Sequence, residues 1–278
     1  MRIHETLARA ARLASSQRQA AELAGREEEQ RLWIQVKAYR DFLASTGQVY
    51  LFEDYLEGVA PTLRPQVSTA IEARPDSTSR QVMTLLLKTF DETSEKQYAS
   101  VLIHLVNFIA ATGQLEACED YILHRLEYAP LAIAHFPTHA EAEAWLNGLA
   151  QPPSPADILI GDEYHLAWYS REDNARGLER DSVIEPYIEE LVARGIPPTA
   201  PSFATRAEAE GWLNNHPATP FEFVSIAGEY YFAVHHKRLK RHTLHPVASS
   251  LAEWEEKKRA TERAEVQDLA AKPQGNDA

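Results

Sequence analysis

Through the first 130 residues, apolar side chains recur at spacings of three and four. Leu32, Val36, Tyr39 and Leu43 fall on one face and predict a helix over 27–45. Leu7, Ala10, Ala11 and Leu13 give a narrower stripe, so a helix over 5–24 is expected to pack only marginally. Further helical patterns cover 62–73 and 77–90, the latter opening at Asp76 or Ser77 and carrying Val82, Leu85, Leu86 and Phe90. After residue 131 the period changes. Leu131–Phe136 reads as a strand, and Thr138 with Glu141 three residues on reads as a capping box. That box starts a helix over 139–149, stopped by Pro152-Pro153-Ser154-Pro155. Ile158–Ile160 and Tyr164–Tyr169 then flank Gly161-Asp162 as a hairpin.

The same order returns. Phe136 to Asn147 and Phe203 to Asn214 share Thr, Ala-Glu-Ala-Glu and Trp-Leu-Asn at a constant offset of 67 residues. The second copy continues as strands Phe221–Ala227 and Tyr230–His236 around Gly228-Glu229. Asp181–Arg194 predicts a helix between the copies. A second repeat lies earlier, where 42–56 matches 108–122 at an offset of 66. In both of its copies Ala-x-Thr-Gly-Gln ends one helix and begins the next, with Gly47 or Gly113 as the C-cap. The spacing is near twice a tetratricopeptide period, without that family's signature. The fold class expected is therefore α+β. Residues 1–130 form an all-α part of helical hairpins, and 131–246 a tandemly duplicated βαββ part with copies at about 131–170 and 198–237. Residues 247–278 form a charged helix, docked by Leu251 and Trp254, and a frayed tail from Lys272. Two βαββ units are compatible with one sheet of about six strands or with two small sheets.

The candidate chemistry is sparse. Cys118 is the single cysteine, which excludes an internal disulfide and a cysteine-built zinc site. Its neighbours Glu116, Glu119 and Asp120 are acidic, the wrong setting for a reactive thiol. The paired Glu53-Asp54 and Glu119-Asp120 read as helix surface beside packing residues, and His104 and His124 as core or boundary side chains. Trp145 and Trp212 read as core anchors rather than a ligand-stacking pair. No phosphate loop, nucleophile elbow or zinc-protease motif occurs, so a non-enzymatic chain without cofactor is expected. No apolar run reaches membrane length and no leader is visible at Met1, which predicts a cytoplasmic protein without a membrane contact.

Charge changes this picture at one place. The chain carries a formal net charge of -13, and residues 131–200 alone hold 12 acidic against 4 basic side chains. Where copy one continues Ser170-Arg-Glu-Asp-Asn174, copy two continues Lys237-Arg-Leu-Lys-Arg241. His235, His236, Lys237, Arg238, Lys240, Arg241 and His242, with Tyr231 beside them, are thus the candidate partner- or anion-binding residues. A solvated strand end that balances the acidic middle section explains this ridge; an acidic protein partner, the acidic first copy, or single-stranded nucleic acid also fits it, nucleic acid less well because the whole chain is anionic. His242 and His245 with His235-His236 also admit a divalent metal, opposed by the adjacent cations.

The paired Thr-x-Ala-Glu-Ala-Glu-x-Trp-Leu segments, with Ile226 to His242 behind the second, give the chain a resemblance to an uncharacterised myxobacterial-type family. Its members often carry the label "head protein". The resemblance covers roughly 100–260 and is most specific over 226–242. It implies a phage connection. Such paralogous families also resemble immunity partners of polymorphic toxins, which implies an acidic protein that neutralises a toxin by binding it.

Overall fold

A computed structural model describes residues 3–59, 65–125, 127–216 and 219–271. Among them the first part is helical: α1 Ile3–Leu23, α2 Glu27–Ser45, α3 Val49–Gly58, α4 Thr69–Glu72, α5 Thr78–Glu92, α6 Lys96–Ala111 and α7 Leu115–His124. Trp33, Tyr39, Phe42, Phe52, Met83 and Ile103 are fully buried in one core. α1 is better packed than its stripe predicts, since Ile3, Thr6, Leu7, Ala10, Leu13, Ala14 and Ala21 are all buried. Small residues let it lie close to α2 and α6, so a low apolar content still fills the contact. The expected helix over 62–73 survives only as the single turn of α4, and 60–64 lie outside the described residues. Ser77 caps α5, accepting a hydrogen bond from the Arg80 amide at 3.2 Å. No single described helix is long and apolar enough to cross a membrane; α6 and α7 meet that composition only as a pair bent by 114°.

Both predicted hairpins form, α2–α3 and α6–α7, with matching caps. Gly47 has φ +67° and Gly113 φ +70°, which only glycine adopts cheaply. The Gln48 and Gln114 amides reach back to the carbonyls of Leu43 and Ile109 at 3.1 and 2.9 Å, closing each first helix in a Schellman motif. The two loops meet through their glutamines. Gln48 Nε2 donates to Gln114 Oε1 at 3.0 Å, and Gln114 Nε2 donates to Gln48 Oε1 at 2.8 Å. This reciprocal amide pair is what a local two-fold arrangement of the hairpins produces.

The second part departs from the predicted βαββ unit. Each copy has one strand more, and the copies form two four-stranded sheets, not one of six strands. Copy one is β1 Ala132–Phe136, α8 His139–Gly148, β2 Ala156–Ile160, β3 Glu163–Ser170 and β4 Ala175–Arg180. Copy two is β5 Ser202–Phe203, α10 Arg206–Asn215, β6 Phe221–Ile226, β7 Glu229–His236 and β8 Arg241–Pro246. In each sheet the first pair is parallel and the others antiparallel. Thr138 and Thr205 cap their helices as expected, and Glu208 completes the capping box of copy two. Trp145 packs on Phe136, and Trp212 on Phe203, each partly buried against its sheet's core cluster rather than inside it.

The hairpin turns differ by one residue. Copy one turns at Gly161-Asp162, whereas copy two turns at Ala227-Gly228, ahead of the predicted Gly228-Glu229. Ala227 and Gly228 both take positive φ, +52° and +88°, the arrangement that suits a two-residue turn between twisted strands. The shift frees Glu229 to join β7. Between the copies, α9 spans Glu185–Ala193, shorter than expected because Pro186 sits at its start, where proline is tolerated. The final helix α11, Val247–Ala271, docks on α9: Trp254 Nε1 and Lys258 Nζ both donate to the Glu189 carboxylate at 2.7 Å. The tail from 272 lies outside the described residues.

Candidate binding seam

The basic run is the tip of the β7–β8 hairpin, where Lys237, Arg238 and Lys240 are exposed. Its direction follows from strand alternation. Phe232, Val234, His236, Arg241, Thr243 and His245 share one face of the paired strands; Tyr231, Ala233, His235, His242 and Leu244 share the other. Both faces are covered. The first joins Leu159 and Tyr164 of copy one in a shared core, and the second packs on α10. Tyr231 belongs to that second cluster, and Phe232 is fully buried.

The four cations therefore separate. Arg241 turns toward copy one and lies 3.5 Å from Asp162, which also accepts the Leu244 amide at 3.1 Å and an ion pair from Arg206. Lys237 Nζ sits between both oxygens of Asp120 on α7, at 2.8 and 2.7 Å, and 4.9 Å from the centre of the Tyr128 ring. Asp120 holds the ammonium charged, raising its pKa. Arg238 and Lys240 are exposed and make no ion pair among the described residues.

The four histidines split the same way. His235 and His242 lie side by side, ring centres 4.8 Å apart. His236 and His245 are buried and joined through Thr243, whose Oγ1 is 2.9 Å from Nε2 of each. One hydroxyl has one proton, so it donates to one ring and accepts from the other, and burial favours the neutral form of both imidazoles. Burial holds His236 down at about 3 and His245 at about 4. The strands thus deliver two pairs to opposite faces, and among the described residues no group of three or more His, Cys, Asp or Glu side chains is placed to hold a metal ion.

The copies dock on the helical hairpins unequally. On α3, Asp54 takes both nitrogens of Arg171 at 2.7 and 3.1 Å, Glu53 accepts a further bond at 3.1 Å, and the guanidinium lies 4.8 Å over Tyr50. Pro153 covers Gly47 so closely that a Cβ there would lie 2.3 Å from the Pro153 Cβ. The Ser154 amide donates to the Gly47 carbonyl at 3.1 Å. On the second hairpin, among the described residues, the Lys237–Asp120 pair is the counterpart. Nothing lies within 4 Å of a Cβ built on Gly113. Glu119 instead serves the core, accepting from Ser79 at 2.6 Å and pairing with Arg74 at 2.8 Å.

Beside Gly113, with Thr112 and Gln114 in its wall, is a cavity of about 860 Å³ lined by both hairpins, the segment leading into β1, and the β7–β8 tip. That is within the roughly 300–1,000 Å³ of ligand-sized pockets. Gln48, Gln114 and Ala117 form its helical side, and Tyr121, Tyr128 and Tyr187 supply aromatic wall. Four of the sequence candidates, His235, His236, Lys237 and Arg238, reach it; Tyr231, Lys240, Arg241 and His242 do not line it. Sequence reasoning missed Asp157, which lines the cavity and whose carboxylate makes no hydrogen bond or ion pair among the described residues. Burial, with Asp181 nearby, pushes its pKa up to about 6. The missed signal was the glutamine shared by both Thr-Gly-Gln loops, since a helix stop explains the glycine but not Gln48 and Gln114. No protein-family model, no curated protein and no solved structure matches the chain.

Proposed function

We propose that this chain is a non-enzymatic binding protein whose protein partner docks at the seam between the two helical hairpins and the β7–β8 tip. One observation carries the reading: a docking seat that is filled on the first hairpin stands open on the second, beside a cavity of ligand size. Unused groups face or rim that opening, including Arg238, Asp157 and the exposed Leu51. A toxin held inactive by masking is the partner class implied by the family resemblance.

Nucleic acid is less well supported. Lys237 and Arg241 are engaged by Asp120 and Asp162, which leaves two free cations on the tip. Two phosphate contacts give a salt slope of only about -2, too little for useful affinity on a chain of charge -13. Phe232 is buried and Tyr231 is packed, so the stacking surface is reduced to Tyr230.

The test is capture of a partner from host extract by the wild-type chain and by a Leu51→Glu, Arg238→Glu variant, followed by reconstitution with the purified partner. Loss of the reconstituted complex in the variant supports the reading. An unchanged affinity of the variant overturns it.

A further inference from the structure

The seam records, within one molecule, what its open half is built to accept. The first Thr-Gly-Gln loop holds a proline ring flat against Gly47 and satisfies the Gly47 carbonyl with the next amide, that of Ser154. Three residues before the amide, Gln151 reaches Asp54, and Arg171 supplies the positive charge. The second loop repeats the backbone that makes such a seat. Gly113 matches Gly47 in conformation, and the reciprocal Gln48–Gln114 pair holds the loops in equivalent surroundings. Its seat differs in being vacant: space above Gly113 is open, and the Gly113 carbonyl accepts no hydrogen bond among the described residues.

The second copy does not fill this seat because it docks elsewhere. Phe223, Phe232 and Val234 are buried with Leu159 and Tyr164 of copy one and Ile188 of α9. Meanwhile Asp157, which lines the same cavity as Thr112 and Gln114 on either side of Gly113, presents a half-buried carboxylate with no partner among the described residues. A carboxylate in such a place is satisfied by a guanidinium, whose two-nitrogen fork matches it, as Arg171 already matches Asp54.

We infer that the open seat takes a proline-containing loop of the partner, laid over Gly113 as Pro153 lies over Gly47, with a basic side chain of that loop reaching Asp157. The inference rests on the reading of the chain as a binding protein and names the chemistry of its partner. Proline suits the seat because its ring is flat and rigid and loses little freedom on binding.

The probe is a labelled heptapeptide, acetyl-Ala-Gln-Pro-Pro-Ser-Pro-Arg-amide, which is residues 150–155 of this chain with an arginine added. Controls replace its prolines by glycine, or its arginine by glutamate. Fluorescence anisotropy against the full chain is expected to give saturable binding with a Kd of roughly 10–500 µM. Both control peptides should bind at least about tenfold more weakly. Ala117→Trp, which fills the cavity from the exposed face of α7, should abolish binding while leaving the circular dichroism and thermal midpoint unchanged. Asp157→Asn should bring the arginine peptide down to the level of the glutamate peptide. The inference is overturned by no binding at roughly millimolar peptide, by equal binding of the glycine peptide, or by binding that Ala117→Trp leaves intact. It is also overturned if sedimentation shows the seat occupied by a second copy of this chain. A partner complex that needs Arg238 and Leu51 but ignores the peptide and Asp157→Asn would retire this inference alone. A complex indifferent to Arg238 and Leu51 would retire the binding-seam reading as well.

Discussion

Two ion pairs hold the β copies to the helical part, and they are predicted to differ in strength by enough to measure. Arg171 gives Asp54 a two-bond fork at 2.7 and 3.1 Å, adds Glu53, and stacks on Tyr50. The side chains are 31% and 40% exposed, so the fork is discounted from the range for charged hydrogen bonds to about 1–2 kcal/mol. Stacking on Tyr50 adds about 0.5–1 kcal/mol to the effect of removing Arg171. Lys237 and Asp120 are 52% and 41% exposed and joined by a flexible ammonium, which places their coupling near about 0.2–1 kcal/mol. Two double-mutant cycles decide the matter: Arg171→Met with Asp54→Asn, and Lys237→Met with Asp120→Asn. Urea unfolding, followed by tryptophan fluorescence, supplies the free energies. Arg171→Met alone should cost about 2–3 kcal/mol, and the first coupling should exceed the second by about 1 kcal/mol. Equal couplings, or a stronger second pair, would refute the claim that copy two is the loosely attached one, and with it the physical basis for an open seat.

Three further outcomes follow from the same geometry. Gly113→Ala should cost about 1 kcal/mol, the strain of a left-handed alanine, whereas Gly47→Ala should cost distinctly more because its Cβ would meet Pro153 at 2.3 Å; thermal midpoints compare them directly. Asp157 has its folded pKa raised from 3.8 to about 6, so its protonated form favours the fold below pH 3.8 and that contribution is lost as pH rises through 6. Asp157→Asn should therefore raise stability at pH 7 by about 1–3 kcal/mol and flatten the stability profile in that window. His236 and His245 have folded pKa values depressed to about 3 and about 4 from 6.5, so their contribution is complete above pH 6.5 and fades as pH falls toward 4. Thr243→Val keeps the shape but strands two buried ring nitrogens, and unfolding at pH 7 should show a loss of about 2–4 kcal/mol.

What the sequence made legible was local. The Thr138 and Thr205 caps and the Gly47 and Gly113 stops depend on close neighbours in the chain, and the packing of Trp145 on Phe136 and of Trp212 on Phe203 spans one strand-to-helix step; all are where the pattern puts them. What it hid is held by partners distant in the chain. β4 reads Ala-Arg-Gly-Leu-Glu-Arg, with Leu178 as its one large aliphatic side chain and no alternation; it is a strand because β3 pairs with it, and residue 177 is glycine because the Trp168 ring lies over it. β8, Arg-His-Thr-Leu-His-Pro, hid for the same reason, and with it the alternation that sends Arg241 inward. The charge inversion after copy two was visible, yet the fate of each cation was set by Asp120 and Asp162, which no local pattern links to it. Asp157 was unreadable because its singular property is a lack of partners, and a sequence does not display that.

The order of the duplicated pieces has a consequence of its own. The helical hairpins come as a pair, then the β copies come as a pair, with nearly equal periods of 66 and 67 residues. Had a hairpin and its β copy been duplicated together, the pieces would alternate and each pair would inherit a ready-made joint. In this order each joint arises separately, and the first copy, reaching back to α3, occupies the better one. The second is left to improvise its attachment with a lysine, on a hairpin still shaped for something it never received from its own chain.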